Sequence, residues 1–386
     1  MSFRSVSLLL TALFALAACG KSATDQANSS GELVVRIGAV APLTGPQAHL
    51  GKDNENGTRM AIDDANAKGI MIGGKKVRFE LISEDDQADP KTATIVAQKL
   101  VDNKVAGVIG HLNSGTTIPA AKIYSDNAIP QISPSATAVS YTQQGFKTAF
   151  RVMANDAQQG RALGEYAVKN LGAVKIAIID DRTAYGQGLA DEFIKAARAA
   201  GAQIVAHEYT SDKSVDFTAV LTAVKGKQPD LLFYGGMDAQ GGPMARQIKA
   251  LALNVKLMMG DGGYTPEFVK LAGVAAEGAY ASLPGVPLDK MPGGKDFSDR
   301  FVAKYQPIQL YAPYCYDAVN VMIAAMQKAD SADPAKYMPA LVSLSHQGVT
   351  ASIQFDGNGD LKGGAVTLYQ VKQGKWQVLE TVGAEQ

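Results

Sequence analysis

The chain has 386 residues, and its 37 Lys and Arg balance 37 Asp and Glu at a formal net charge of zero. That balance argues against the basic field a nucleic-acid surface requires. About 350 residues lie beyond the N-terminal segment, more than one hydrophobic core usually serves, so two lobes are expected.

The N-terminus, "MSFRSVSLLLTALFALAAC", carries Arg4 and then an apolar run from Leu8 to Ala18. A membrane span needs about 20 apolar residues, whereas a secretory signal uses a core of roughly 7–15. Residues 1–18 are therefore read as a signal peptide. It closes on Leu16-Ala17-Ala18-Cys19-Gly20, which resembles the lipobox of bacterial lipoproteins and implies lipidation at Cys19. The next stretch, residues 20–32, has no apolar residue larger than alanine, so 19–32 reads as a flexible tether from a lipid anchor to the folded part. Cys315 is then the single free thiol, with no partner for an intramolecular disulfide, and "YAPYCYDAVNVMIAAM" reads as a buried helix around it.

From Leu33 onward short apolar runs alternate with amphipathic stretches. Strands are expected at Val34–Val40, Val77–Ser83, Val105–Ile109, Ala128–Ile132, Val174–Ile179, Gln203–Glu208, Leu231–Tyr234, Val255–Met259 and Ala279–Leu283. Their apolar character throughout suits parallel strands buried on both faces. Asp89-Pro90 and Thr265-Pro266 each pair an N-cap with a proline at the first helical position. The first of these helices buries Ala93, Val96, Ala97, Leu100 and Val101, and the second Phe268, Leu271 and Ala272. Leu189, Phe193, Ile194 and Ala197 stripe a third helix. This βαβα period predicts an α/β fold with doubly wound sheets. The end differs, with helices at Ala312–Lys328 and Pro334–Leu344, then "VTASIQFD", then a hairpin about Lys372-Gln373-Gly374-Lys375. Such a tail could cross back and pin the two lobes together.

Several motifs invite an assignment and fail it. "APLTGPQAHLGKD" resembles a phosphate loop, but five residues separate Gly45 from Gly51 and Asp53 stands where a magnesium ligand would need a hydroxyl. Gly186-Gln187-Gly188 opens a dinucleotide fingerprint whose sixth position is Asp191. "DGNGD" at 356–360 starts like a calcium loop, yet its sixth and twelfth positions are Leu361 and Thr367, so it reads as a polar turn. The four histidines, His49, His111, His207 and His346, show no metal spacing, and no nucleophile elbow is present around Ser114 or Ser135. No metal, cofactor or enzyme chemistry is expected.

Polar loops at strand ends remain. In "GHLNSGTTIPA" the residues Asn113, Ser114, Gly115, Thr116 and Thr117 enter a helix, offering backbone N–H groups, hydroxyls and a helix dipole to an anion. With no nearby lysine or arginine a carboxylate suits this cradle better than a phosphate. "ISPSATAVS" repeats the pattern with Ser133, Ser135 and Thr137, at the same C-terminal sheet edge.

"PLTGPQAHLG", "GHLNSGTTIPA", "SPSATA", "AYGQGLAD", "FYGG" and "FDGNGDLKGG", in this order over Leu33 to about Gln370, resemble the periplasmic branched-chain amino-acid-binding proteins of ABC transporters. The resemblance implies the type I periplasmic-binding fold, two doubly wound parallel-sheet lobes joined by three crossovers. Residues 33–154 and 283–360 would form the first lobe, and 155–282 and 361–386 the second. It also implies that Ser114 and Thr137, with the N–H groups about Gly115, hold a ligand carboxylate. The Ser135 carbonyl and the Thr137 hydroxyl would take its amine, and Tyr185 would cover it. Leu50 and Met237 stand at positions aromatic in leucine-binding members and would face the ligand side chain. The glutamate that pairs with the ammonium aligns with Gly262, so the neighbouring Asp261 is expected to carry that charge. The family's cysteine pair is replaced by Ala88 and Asn113.

On this reading the chain is a monomeric, lipid-anchored extracytoplasmic protein that delivers a small apolar amino acid to an ABC permease. Two alternatives stay open: the same fold binding an amide, urea or aromatic carboxylate, or a ligand-sensing module of a receptor system.

Overall fold

The computed structural model describes residues 31–383. The signal segment, Cys19 and most of the tether lie outside the described residues. The first sheet is built from β1 (Leu33–Ala41), β2 (Met71–Ile72), β3 (Lys75–Asp85), β4 (Gly107–Gly110), β5 (Gln131–Ser133) and β6 (Ala149–Arg151), in the order β2-β3-β1-β4-β5-β6. Only the short β2–β3 hairpin is antiparallel; β1 runs beside β3 from Leu33 opposite Val77 to Ala41 opposite Asp85. The second sheet takes β7 (Lys175–Asp180), β8 (Gln203–Tyr209), β9 (Leu231–Gly235), β10 (Lys256–Met259) and β11 (Tyr280–Leu283) as parallel strands. After the small pair β12 (Ser345–Gln347) and β13 (Ser352–Gln354), the final hairpin β14 (Val366–Lys372) and β15 (Lys375–Val382) adds antiparallel to β11. Its turn falls between Lys372 and Lys375, as its sequence predicts.

The helices are α1 (Ala48–Lys68), α2 (Pro90–Asp102), α3 (Ser114–Asp126), α4 (Asp156–Lys169), α5 (Ala184–Ala199), α6 (Thr218–Lys225), α7 (Asp238–Ala250), α8 (Pro266–Ala272), α9 (Gly294–Lys304), α10 (Ala312–Lys328) and α11 (Pro334–Val342). Asp89 caps α2 by accepting the Thr92 N–H at 2.8 Å, and Thr265 caps α8 by accepting the Phe268 N–H at 2.9 Å. Leu189, Phe193, Ile194 and Ala197 are all buried on α5. Val101 and Leu271 are only half-buried, because α2 and α8 each turn a narrower face to their sheet than the expected stripe. Cys315 is buried in α10, and burial pushes its thiol well above the ordinary range.

The chain passes between the sheets after β6, after β11 and after β13. Between the second and third passages α10 packs on α1 of the first lobe. That contact needs Gly57, where a Cβ would lie 2.3 Å from the Ala312 carbonyl oxygen. Asp53, the residue that spoils the phosphate loop, accepts the N–H groups of Gln309, Leu310 and Ala312 at 2.9, 3.0 and 2.9 Å. It thereby ties α1 to the start of α10 across more than 250 residues of sequence.

The first and third passages are also joined. Fully buried Arg151 donates to Asp360 Oδ1 through Nε at 2.9 Å and Nη2 at 2.6 Å, and through Nη1 to the carbonyls of Ala136 and Ala138 at 2.8 and 2.9 Å. Asp360 Oδ2 accepts the Asn155 amide at 3.2 Å. The polar turn "DGNGD" thus ends in the counter-charge that fixes both the 136–138 loop and the start of α4.

Candidate functional site

The carboxyl ends of the two parallel sheets face one another across a cleft, the place where open α/β sheets bind ligands. A small cavity there is lined by Leu112, Asn113, Ser114 and Ser135 from one side, Tyr185, Met237 and Asp261 from the other, and Tyr311 just before α10. A roomier groove beside α4 and β14–β15 lies outside the cleft and is bordered by Arg161, Glu165, Lys169 and Glu380. Its charges alternate in sign, and Lys169 pairs with Glu165 at 2.7 Å.

The first-lobe wall is rigid because its loops are stitched by buried polar groups. His111 follows β4, with Nδ1 2.8 Å from Asp86 and Nε2 3.0 Å from the Tyr124 hydroxyl, all three fully buried. Its carbonyl accepts the hydroxyls of Thr117 and Ser133 at 3.1 and 3.0 Å. Ser135 Oγ donates to the Leu112 carbonyl at 3.0 Å. The Ala138 N–H donates to Ser114 Oγ at 3.1 Å, which leaves the Ser114 proton available to a ligand. Thr116 and Thr117 N–H groups close on the Asn113 carbonyl, so the N–H groups of Ser114 and Gly115 are the ones that α3 presents from its positive end. Asn113 does not cap α3 with its side chain; it donates to Gln47 Oε1 at 2.7 Å.

The opposite wall is organised by one carboxylate. Asp261 Oδ1 accepts the Tyr185 hydroxyl at 2.8 Å and Gln159 Nε2 at 3.0 Å, and Oδ2 accepts the Tyr311 hydroxyl at 2.7 Å. Gln159 is held in turn, its Oε1 accepting the Asp261 N–H at 3.0 Å and the Ser282 hydroxyl at 2.7 Å. Burial raises the Asp261 carboxyl above its usual range, and the donors from Tyr311, Tyr185 and Gln159 oppose that rise. Position 262 has no room for a charged side chain: a Cβ on Gly262 would sit 2.8 Å from both the Gly236 carbonyl oxygen and the Met237 sulfur. The one-residue displacement of the acid to Asp261 therefore fits this backbone.

A second carboxyl lies below. Asp156, at the start of α4, is pushed up to about 7 by burial and then by the charge of Asp261. Its Oδ1 accepts from Gln159 Nε2 at 3.2 Å, while Oδ2 has no hydrogen-bond partner among the described residues. The Asp156 N–H donates to the Thr137 carbonyl at 2.8 Å. The nearby Thr137 hydroxyl favours the charged carboxyl but forms no aligned hydrogen bond, and it too is buried without a partner among the described residues.

Of the residues singled out in the sequence, Ser114, Ser135, Tyr185, Met237 and Asp261 meet at this cavity. Thr137 is buried beside it, and Gly115 is half-buried, with open space within 4 Å of where a Cβ would stand. Leu50 is fully buried in the hydrophobic core and does not line the cavity; its neighbour His49 reaches across the cleft instead. Tyr311, Gln159, Asp156 and Leu112 were not singled out. Tyr311 is hidden in an apolar run, and only the polar "NDAQQG" at the start of an otherwise amphipathic α4 signals the Asp156–Gln159 pair.

Two sheet-centred lobes meeting at a cavity with an anionic wall and a donor-rich wall define a two-lobed solute-binding clamp. The profile described as periplasmic binding protein matches residues 34–375, and the chain belongs to that family. It is 33% identical over 353 residues to the Leu/Ile/Val-binding protein BraC3 of Rhizobium johnstonii, covering 91% of this chain and 94% of that one. It is 34% identical over 337 residues to the leucine-, isoleucine-, valine-, threonine- and alanine-binding protein of Pseudomonas aeruginosa, covering 87% and 89%. Among solved structures, the branched-chain amino acid transporter substrate-binding protein LivJ of Streptococcus pneumoniae, in complex with isoleucine, superposes with a TM-score of 0.82 at 27% identity, over 91% of this chain and 100% of that one.

Proposed function

We propose that this chain captures a branched-chain or similar small apolar amino acid outside the cytoplasm and delivers it to an ABC permease. The observation that carries the reading is the position of Asp261, a buried carboxylate held by three donors, across a small cavity from the helix start at Ser114 and Gly115. An anion opposite a cradle of donors complements a zwitterion. The ligand carboxylate would sit on the Ser114 hydroxyl and the N–H groups of Ser114 and Gly115. Its ammonium would take Asp261, the Ser135 carbonyl and the Thr137 hydroxyl, the last of which has no hydrogen-bond partner among the described residues. Leu112 and Met237 leave an apolar, adaptable wall for the side chain.

Closure would be a hinge motion of two lobes, 33–154 with 283–360 against 155–282 with 361–386. Lipidation at Cys19 would hold the monomer to a membrane, and no helix among the described residues is long and apolar enough to cross one. A ligand without an amine, such as an aromatic carboxylate, would leave the buried Asp261 without a cationic partner, and the relatives' names favour amino acids over it.

Asp261→Asn tests the reading. Removing one member of a buried charge pair costs roughly 3–5 kcal/mol, so calorimetry should show leucine affinity falling by more than a hundredfold. Unchanged affinity in the folded variant would place the ammonium elsewhere.

A further inference from the structure

His49, the second residue of α1, approaches Asp238, the first residue of α7, with Nε2 2.8 Å from Oδ2. The two stand 189 residues apart and belong to opposite sheets' layers, so the contact bridges the cleft. Asp238 is fully buried; the same Oδ2 accepts the Thr265 hydroxyl at 2.6 Å, and Oδ1 has no partner among the described residues. Met237, the residue before it, lines the cavity, whereas the His49 side chain remains 20% exposed at the rim. Asp238 also fastens α7 to the N-cap of α8 within its own lobe through Thr265, so the bridge across the cleft is probed at His49.

We propose that His49 and Asp238 are positioning residues forming a proton-linked clasp that holds the second lobe closed over the ligand. The inference rests on the reading of the cleft as an amino-acid site. Opening the cleft draws α1 away from α7 and breaks the contact, so only the closed state rewards a charged imidazole with a charge-assisted hydrogen bond.

Burial alone would lower the His49 value, but the bond to Asp238 and its charge, with Glu267 on α8 and Asp53 on α1, raise it above the ordinary one. Tyr234 and Tyr311 also lie near Asp238, and both stay neutral because burial raises them far above their usual range. A raised value in the closed state means that the clasp is complete below the ordinary histidine range and is lost as pH rises through the closed-state value. Closure on ligand therefore takes up a proton. Asp156 acts in the opposite sense, since its ionisation near pH 7 favours an ammonium ligand as pH rises. The clasp is isolated by comparing pH profiles with and without His49.

His49→Gln keeps a donor toward Asp238 and removes the charge. Leucine is titrated calorimetrically into the full chain and into the variant at about pH 6 and about pH 8.5. The ratio of the two dissociation constants, high pH over low, should be about fivefold larger for the parent than for the variant, the size expected of a partly exposed ion pair. Equal ratios would overturn the clasp. If leucine binds neither protein, the proposed ligand class fails, and the clasp is read without ligand from spin labels at exposed Val302 and Val174, on α9 and just before β7. The interlobe distance should then shorten at low pH in the parent alone, and identical responses in the variant would overturn the clasp.

Discussion

Asparagine in place of Asp156 should remove a pH-dependent instability built into the cleft floor. The carboxyl is raised from 3.8 to about 7, first by burial and then by the Asp261 charge. A raised carboxyl contributes its full stability below the ordinary carboxylate range and loses it as pH climbs through the folded-state value. About three units at 1.36 kcal/mol each make this loss about 4 kcal/mol between about pH 4 and pH 8. The asparagine carbonyl can still accept from Gln159, and the backbone bond to Thr137 is untouched, so the variant keeps its contacts and sheds the titration. At roughly 2 °C per kcal/mol for a chain of this size, unliganded variant and parent should melt together near pH 4 and separate by up to about 8 °C near pH 8. Circular dichroism melts across that range provide the assay. Saturating leucine should narrow the gap, because a bound ammonium compensates the charge. Parallel melting curves at every pH would show that Asp156 is not forced to ionise against its surroundings.

Other substitutions separate folding from binding. Gly115→Ala meets nothing within 4 Å and adds helix propensity, so melting should hold or rise slightly while leucine affinity drops by about 1–3 kcal/mol, as the methyl group occupies the carboxylate's place. Asp360→Ala leaves fully buried Arg151 without its counter-charge and should cost about 3–5 kcal/mol in denaturant unfolding. Native Cys315 should resist thiol reagents until the chain unfolds, because burial both shields it and keeps it protonated.

The elements legible in the sequence are those whose signals are local. Asp89-Pro90 and Thr265-Pro266 announce α2 and α8 because cap and proline act within one turn. The long β-branched runs announce the parallel strands for the same reason. The three-residue β6 and two-residue β2 escape because neither is long enough to show a period. At the site, Ser114, Ser135, Tyr185, Met237 and Asp261 were marked by motif and resemblance, and the fold brings them together. Their supports were not legible. Arg151 meets Asp360 across 209 residues, Tyr311 meets Asp261 across 50, and His49 meets Asp238 across 189, pairings that only the three passages between the lobes create. Leu50 shows the converse limit: the loop around it reads as a pocket rim, but α1 begins at Ala48 and turns the side chain into the core.

The central claim is that the cleft recognises a zwitterion with an apolar side chain, and a thermal-shift screen of the twenty amino acids together with benzoate tests it most directly. Leucine, isoleucine and valine should raise the melting temperature at millimolar concentration, and benzoate should leave it unchanged, because only an ammonium can compensate Asp261. A shift with benzoate and none with any amino acid would contradict the account.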